Sequence, residues 1–255
     1  MKFAPLPRAW QWLDGSAFDS HGESMDKVLG VKPDKSSGLP LMYQGVSDTF
    51  CAATQKAPFP TEADGIDFEG EFGIITDAAP MTPTVATASS HIRLIVQIND
   101  WSLRKLAGPE MRTGFGWVRA KPACTMAPIA VTPDELGPHW RDARVDLPLL
   151  VDWNNKRFGA ASGYPMSSGF DQLVAHAAYS RRLVPGTVIG SGTVSNANYR
   201  EVGSSCIAER RGVEMVDQGE PKTPFMSFGD TVRMDCLLPS GQSVFGPIAQ
   251  NVTRA

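Results

Sequence analysis

The sequence predicts a mixed β fold with short helices (α+β) rather than a doubly wound parallel sheet. The 255 residues include 24 glycines and 20 prolines, and both are spread evenly along the chain. Evenly spaced turn-forming residues are typical of many short strands joined by turns. Segments with the length of strands recur, but they do not alternate regularly with helices, as a parallel sheet covered by helices requires.

Composition excludes several classes of partner. Lys and Arg total 24 against 27 Asp and Glu, a formal net charge of -3, so no excess of basic residues is available for a phosphate backbone. No apolar run approaches the roughly 18–20 residues of a membrane helix. We therefore expect neither a nucleic-acid nor a membrane partner.

The cysteines and the N-terminus predict a cytoplasmic protein. The four cysteines are widely scattered and form no Cys-x-x-Cys pair, which argues against a zinc ribbon, a redox dithiol or a secreted disulfide scaffold. Residues 1–8 contain two prolines where a signal peptide would carry its apolar stretch.

The first elements form an N-terminal segment, residues 1–65, ahead of a main domain over residues 66–255. We predict a short helix over residues 23–29, ended by Gly30. Residues 31–39 are rich in Pro, Ser and Gly and predict a loop or flap over the site.

Residues 66–74 predict a strand with one acidic face. Apolar residues or glycines occupy the even positions, and Asp67, Glu69 and Glu71 the odd ones. Because side chains alternate across a strand, the three carboxylates share a face. A solvent-exposed strand facing lysines would show this pattern, but so would a site for Mg²⁺ or Ca²⁺, which prefer carboxylate oxygens. The glycines within the strand favour the metal site, because glycine weakens a strand unless something approaches closely.

A short helix over residues 85–91 and a strand over residues 92–98 follow. Asp100 ends this strand, where a side chain can enter a cleft, and is a candidate third ligand. Residues 101–106 predict a helical turn, for which Asp100 or Ser102 is the candidate cap. Capping and metal binding by Asp100 are compatible.

The last hundred residues predict mostly strands with one inserted helix. The helix is expected over residues 170–182, where apolar residues have helical spacing and the last turn is basic. Strands are expected over residues 187–190, 213–216 and 231–238.

Three further features could carry chemistry. Lys121 lies among aromatic and small residues, although most lysines are merely solvated. His21 is flanked by small, polar and acidic residues, where an imidazole can act as a base. Residues 189–195 are glycine-rich but lack the nucleotide-binding spacings; their N–H groups and the Thr193 hydroxyl could hold a carboxylate. No Gly-x-Ser-x-Gly motif supports a hydrolase triad.

Three stretches, in this order, resemble the fumarylacetoacetate hydrolase family: DFEGEF at residues 67–72, NDWSLR at 99–104 and LVPGTVIGSGT at 183–193. The Glu-x-Glu pair followed by an Asp 29 residues after the second Glu is a specific combination. The resemblance extends from about Trp10 to Thr231. It implies a fumarylacetoacetase-like β-roll, often dimeric, with the site at the mouth of the roll.

The resemblance also implies the ligands of a divalent cation, Mg²⁺ or else Ca²⁺ or Mn²⁺. These ligands are Glu69, Glu71 and Asp100, joined by Asp14. Asp14 precedes His21 by seven residues, the spacing that the family shows between this ligand and its catalytic histidine.

The family's other functional positions are also matched. Lys121 stands where the family has its active-site lysine, and Tyr43, Arg104 and Thr193 where it has substrate contacts. Other substrate-binding positions differ and leave the substrate open; they are occupied here by Gly30, Ala107 and Met111. The carboxylate partner of His21 is either Glu209 or Glu23.

The implied function is metal-dependent hydrolysis of a carbon–carbon bond in a β-diketo acid, such as fumarylacetoacetate or an acylpyruvate, in aromatic catabolism. The expected partners are a small anionic oxo acid and a second copy of the chain in a homodimer. Two alternatives stay open. One is decarboxylation, hydration or tautomerisation of a 2-oxo acid, for which His21 would be dispensable. The other is a noncatalytic, metal-stabilised binding module.

Overall fold

The computed structural model describes residues 3–22 and 38–255. Its strands, in chain order, are β1 (Trp12–Gly15), β2 (Met42–Gly45), β3 (Ala57–Phe59), β4 (Ile66–Asp67), β5 (Gly70–Thr76), β6 (Ile92–Asn99), β7 (Ser102–Leu103), β8 (Thr125–Met126), β9 (Trp140–Arg141), β10 (Arg144–Val145), β11 (Pro148–Trp153), β12 (Lys156–Ser162), β13 (Val188–Gly190), β14 (Thr231–Cys236) and β15 (Ile248–Arg254).

Two mixed sheets carry most of these strands. The first has six strands in the order β2-β1-β13-β5-β6-β8, and the second has five in the order β12-β11-β14-β15-β3. Strands β1 and β13 run parallel, as do β3 and β15, whereas the other neighbours are antiparallel. The sheets face each other closely: a Cβ on Gly70 would come within 2.6 Å of the Leu149 side chain. Glycine at this position therefore lets β5 lie against β11.

The helices are short and lie around the sheets. They are α1 (Val85–Ala88), α2 (Arg104–Met111), α3 (Phe170–Ala177), α4 (Tyr199–Val202) and α5 (Ile207–Gln218), with 3-10 turns at Glu62–Asp64, Ser89–His91 and Pro133–His139. Residues 19–22 are also helical. Within the described ranges, none of the helices combines the length and apolar character needed to cross a bilayer.

The mixed β fold with short helices is confirmed, and so are the strands at β6, β13 and β14. The strand expected over residues 66–74 is divided into β4 and β5, because β4 pairs with β7 whereas β5 pairs with β6 and β13. The helix expected over residues 170–182 ends at Ala177.

The strand predicted over residues 213–216 is wrong, because these residues belong to α5. This helix begins after Cys206, buries Ile207 and Ala208 in its first turn, and ends at Gly219 in a left-handed conformation. The buried residues of the helix all precede Val213. The few residues from Val213 to Val216, considered alone, therefore resemble a strand.

Two expectations concern the N-terminal third. The helix over residues 23–29 and most of the flap over residues 31–39 lie outside the described residues. The division at residue 65 stays a prediction, although β1 and β3 each belong to a sheet shared with later strands.

Candidate metal centre and active site

Four buried carboxylates meet at one end of the six-stranded sheet: Asp14, Glu69, Glu71 and Asp100. One oxygen from each lies within 4.8 Å of those of the other three. Asp14 belongs to β1 and Glu71 to β5, whereas Glu69 and Asp100 lie just before β5 and just after β6. The sheet order therefore brings together side chains that are far apart in sequence.

Glycine on the intervening strand makes this meeting possible. Gly190 of β13 pairs with Asp14 on one side and with Gly73 on the other. A Cβ on Gly190 would overlap the Asp14 carboxylate and would lie 3.0 Å from Glu71 Oε2. Gly190 belongs to the segment 189–195, for which the sequence predicts carboxylate binding. Its missing side chain leaves room for two carboxylates of the protein itself, Asp14 and Glu71.

Two cations offset part of this negative charge. Lys121 Nζ donates hydrogen bonds to Glu69 Oε2 at 2.8 Å and to Asp100 Oδ2 at 2.6 Å. Arg104 forms an ion pair with Glu69 as well. Burial raises the pKa of Glu69, but the positive charges of Arg104 and Lys121 prevail and hold it well below its ordinary value. Glu69 is therefore ionised at neutral pH.

On the other side of the cluster the charge of Lys121 does not outweigh the effect of burial. Burial, reinforced by neighbouring carboxylates, raises the pKa of Asp14 and of Glu71 well above the ordinary values. Within the described residues, neither oxygen of Glu71 meets a hydrogen-bond donor. Buried carboxylates normally have such donors, and a bound cation would give the Glu71 oxygens the partner that they lack.

The donor set fits a hard divalent cation. Four carboxylates meet here, whereas the neighbouring cations are Lys121 and Arg104, and Arg104 also pairs with Asp67. Oxygen-only ligands are those that Mg²⁺, Ca²⁺ and Mn²⁺ select. Asp14, Glu69, Glu71 and Asp100 would hold the ion, as predicted, and the oxygens of Glu71 would gain a partner.

Asp67, the third acidic residue of the predicted strand face, lies outside this cluster. Its carboxylate accepts hydrogen bonds from the backbone N–H groups of Ile207 at 2.7 Å and Ala208 at 2.9 Å, at the start of α5. It also accepts one from Arg104 Nε at 2.7 Å. Asp67 therefore joins the N-terminus of α5 to the arginine that contacts Glu69.

Asp100 is held from several directions. Its carboxylate accepts hydrogen bonds from Tyr43 Oη at 2.5 Å and from Cys124 Sγ at 2.8 Å. Neither Asp100 nor Ser102 caps a helix: α2 begins after Leu103 without a side-chain cap, and Ser102 Oγ donates to Glu69 Oε1 at 3.2 Å. The capping prediction is therefore wrong, because both side chains serve the carboxylate cluster instead.

An aromatic wall borders the lysine. The rings of Tyr43 and Trp117 meet edge to face with centroids 4.6 Å apart, and Lys121 Nζ lies 5.4 Å and 5.9 Å from these centroids. The loop carrying Trp117 is held by Glu110, whose carboxylate accepts hydrogen bonds from three successive backbone N–H groups, at residues 118–120. Sequence reasoning missed Trp117, Cys124 and Glu110, although Trp117 and Cys124 stand within four residues of Lys121.

His21 and Glu209 form the remaining part of the site. His21 Nδ1 lies 3.8 Å from Glu209 Oε1, and the Glu209 side chain is fully buried. Of the two candidate partners, the structure places Glu209 beside His21, whereas Glu23 lies outside the described residues. A protonated His21 is close enough to Glu69 to help lower the pKa of that carboxyl, after the larger effects of burial and of Arg104 and Lys121.

Thr193 lies in the glycine-rich segment that follows β13 and is buried. In the same segment the backbone N–H of Gly192 donates to Asp14 Oδ1 at 3.1 Å. The predicted carboxylate-binding backbone thus holds a carboxylate of the chain itself, one of the four in the cluster.

The sequence and the fold are similar to those of known proteins. Residues 11–253 match a family profile described as "Fumarylacetoacetate (FAA) hydrolase C-terminal". Human (Homo sapiens) fumarylacetoacetase is 26% identical over 175 residues, which cover 58% of this chain and 41% of the relative. The chain thus matches less than half the length of this curated relative.

Two solved structures share the fold. Fumarylpyruvate hydrolase from Pseudomonas aeruginosa, solved with Mn²⁺ and pyruvate, superposes with a TM-score of 0.71, 13% identity and full coverage of both chains. The 5-carboxymethyl-2-hydroxymuconate delta-isomerase from Mycobacterium smegmatis gives a TM-score of 0.65 and 20% identity, covering 98% of this chain and 80% of the isomerase. The profile match over nearly the whole sequence, with the shared fold, shows that this chain belongs to the fumarylacetoacetate hydrolase family.

Proposed function

We propose that this protein is a metal-dependent hydrolase that cleaves a carbon–carbon bond in a small β-diketo acid of the acylpyruvate or fumarylacetoacetate type. One observation carries the proposal: His21 Nδ1 lies 3.8 Å from the fully buried Glu209 carboxylate. The helix that carries Glu209 begins after Cys206, whose backbone is bridged to that of Glu69 in the carboxylate cluster. Hydrolysis needs a base for water, and an imidazole next to a carboxylate is suited to that role.

The cation would be held by the four clustered carboxylates, and we propose Mg²⁺ or Mn²⁺. When bound, it supplies Lewis-acid polarisation of a carbonyl and a template for two substrate oxygens. The Mn²⁺ and pyruvate in the Pseudomonas aeruginosa structure are compatible with this chemistry, since pyruvate is a 2-oxo acid.

Positive charge and hydrogen bonding on the protein side favour an anionic substrate. Lys121 would face the developing negative charge, and Thr193 and Tyr43 would contact substrate oxygens. Arg104 already pairs with Asp67 and Glu69, so we expect it to act on the substrate mainly through its charge.

In the proposed reaction, His21 takes a proton from a water molecule whose oxygen bonds to the carbonyl carbon distal to the carboxyl end. Glu209 stabilises the imidazolium that results. The carbon–carbon bond then breaks, and its electron pair becomes an enolate opposite Lys121. His21 returns its proton to the enolate carbon that has separated from the attacked carbonyl, which gives a carboxylic acid and a 2-oxo acid. Stabilising such developing charge is worth about 3–4 kcal/mol per contact in comparable sites.

A second candidate is isomerisation or another reaction of a 2-oxo acid at the same centre. The fold that this chain shares with the Mycobacterium smegmatis isomerase supports this second candidate. Enolate formation would again use the cation and Lys121, but no water would be activated. His21 would then be dispensable for turnover.

The test is an assay of the Mn²⁺-loaded protein with acylpyruvates, fumarylacetoacetate and oxaloacetate as substrates. The reaction is monitored through the loss of enol absorbance, and its products are identified. Hydrolysis products from a β-diketo acid support the proposal. His21→Ala should leave Mn²⁺ bound while hydrolysis falls by at least a hundredfold, whereas Glu69→Gln should weaken Mn²⁺ binding and activity together. Conversion of oxaloacetate alone, unaffected by His21→Ala, would favour the second candidate.

A further inference from the structure

A line of hydrogen bonds connects three segments behind His21. Ser195 Oγ, in the segment after β13, forms a hydrogen bond with Glu209 Oε1 on α5. The same Ser195 Oγ lies 2.7 Å from the hydroxyl oxygen of Ser20, the residue before His21. We call this line, Ser20 to Ser195 to Glu209, the serine relay.

The chemistry of the groups fixes the direction of the relay. An ionised carboxylate only accepts hydrogen bonds, and each hydroxyl has a single proton to donate. Ser195 therefore donates to Glu209, and Ser20 must in turn donate to Ser195. The hydroxyl of Ser195 thus satisfies the carboxylate and restrains the residue next to His21 at the same time.

The backbone around Ser195 is itself fixed. Asn196 Nδ2 donates to the carbonyl oxygens of Ser195 at 2.6 Å and of Ser162 at 2.8 Å. The backbone N–H of Val194 donates to the carbonyl of Gly70 on β5 at 3.0 Å. Ser195 is almost completely buried. Together with these hydrogen bonds, burial holds its hydroxyl in one position beside β5.

The orientation of Glu209 matters because, within the described residues, neither His21 Nδ1 nor Glu209 Oε2 forms a hydrogen bond. The oxygen that Ser195 holds, Oε1, is also the one that lies 3.8 Å from His21 Nδ1. A carboxylate held here favours the tautomer with the proton on Nδ1, which leaves Nε2 free to accept a proton.

We propose that Ser195 is a positioning residue: it fixes the Glu209 carboxylate and the Ser20–His21 segment, so that His21 carries its proton on Nδ1. The role in turnover rests on the proposed function, because only a reaction that uses His21 as a base depends on it. The tautomer of His21 does not depend on the reaction and can be measured separately.

The experiment compares Ser195→Ala with Ser195→Thr, which keeps the hydroxyl, and with Ser204→Ala. Ser204 is a matched control, because its hydroxyl is also buried but has no hydrogen-bond partner in the described part of the chain. A hydrogen bond to a charged group is worth about ten- to a hundredfold in an equilibrium constant, and kcat depends on it by the same factor if the reaction needs the carboxylate in the position that the bond fixes. We expect Ser195→Ala to lower kcat by that factor with KM and Mn²⁺ affinity unchanged. Ser195→Thr should recover most of the loss, and Ser204→Ala should change kcat less than twofold.

A double-mutant cycle tests whether Ser195 acts through Glu209. In a Glu209→Gln background, Ser195→Ala should cause less than a twofold further loss, because the group that it orients is already altered. Independent, multiplying losses would overturn the inference. If Ser195→Ala does not fold, Ser195→Cys replaces it, since the thiol fills the space but donates weakly.

Imidazole ¹⁵N spectra give the readout that is independent of turnover, with the His21 signal assigned from His21→Ala. In the wild type the Nδ1–H tautomer should predominate, and both Ser195→Ala and Glu209→Gln should shift His21 towards Nε2–H. A wild type already in the Nε2–H form, or no response to Ser195→Ala, overturns the inference. A tautomer shift in a protein that hydrolyses no β-diketo acid would support the inference and reject the proposed function.

Discussion

Replacing Glu71 by Gln should have opposite effects on stability with and without a divalent cation. Without the cation, burial and the neighbouring carboxylates raise the pKa of Glu71 well above its ordinary value, and its oxygens meet no hydrogen-bond donor among the described residues. The fold therefore disfavours its charge, and a neutral amide of similar size removes that cost. We expect the metal-free Glu71→Gln variant to melt at the wild-type temperature or above it.

With the cation present, the order should reverse. A ligand at a hundred times its Kd adds about 2.7 kcal/mol to the free energy of unfolding. For a domain of this size, each kcal/mol raises Tm by about 2–4 °C, so wild-type Tm should rise by about 5–11 °C. A hundredfold weaker site in the variant would add only about 0.4 kcal/mol at the same concentration, a shift of about 1 °C.

The measurement is thermal unfolding by circular dichroism at pH 7, with EDTA or with a fixed concentration of Mn²⁺. Glu220→Gln is the control, because it makes the same chemical change at an exposed position; it should keep the full Mn²⁺ shift. An equal Mn²⁺ shift in wild type and Glu71→Gln would remove Glu71 from the site. A marked loss of stability of the metal-free variant would refute the reasoning about its buried charge.

Three further predictions concern residues that shape the site. Gly190→Ala should abolish Mn²⁺ binding measured by calorimetry, because its Cβ would overlap the Asp14 carboxylate; Gly108→Ala, where a Cβ has room, should bind normally. Asp67→Asn should lower the free energy of unfolding in urea by about 3–5 kcal/mol, because it breaks a buried ion pair; a loss under 1 kcal/mol would contradict this. Glu110→Ala releases three backbone N–H groups. It should raise KM severalfold and speed proteolysis between residues 112 and 120 without changing Mn²⁺ affinity, and an unchanged KM would show that the loop does not contact substrate.

Much of the centre could be predicted from the sequence, because its residues stand in short local patterns. The alternation of acidic residues in 66–74 and the position of Asp100 after an apolar strand identified three of the four clustered carboxylates. Asp14 came only from the family resemblance. A single aspartate in a short strand has no local signature, and only the pairing of β1 with β13 brings it to the others.

The rest depends on contacts between distant segments. Asp67 shares the alternation with Glu69, yet it turns to the N-terminus of α5, which starts 140 residues later. Residues 213–216 of that helix have the local pattern of a strand, and the sequence leaves the partner of His21 open between Glu209 and Glu23 for the same reason. Local periodicity describes how one face of a segment is buried, but it does not say which segment covers that face.

The loop that carries Trp117 is fastened to the rest of the protein differently from the carboxylates. The carboxylates lie on strands and strand ends, whereas three successive backbone N–H groups of this loop donate to a single glutamate side chain on α2. Its residues Phe115 and Val118 are largely exposed, so they can be exchanged at little cost to folding. Under the proposed function, substitutions on this loop would change substrate preference while the carboxylates that hold the proposed cation stay the same.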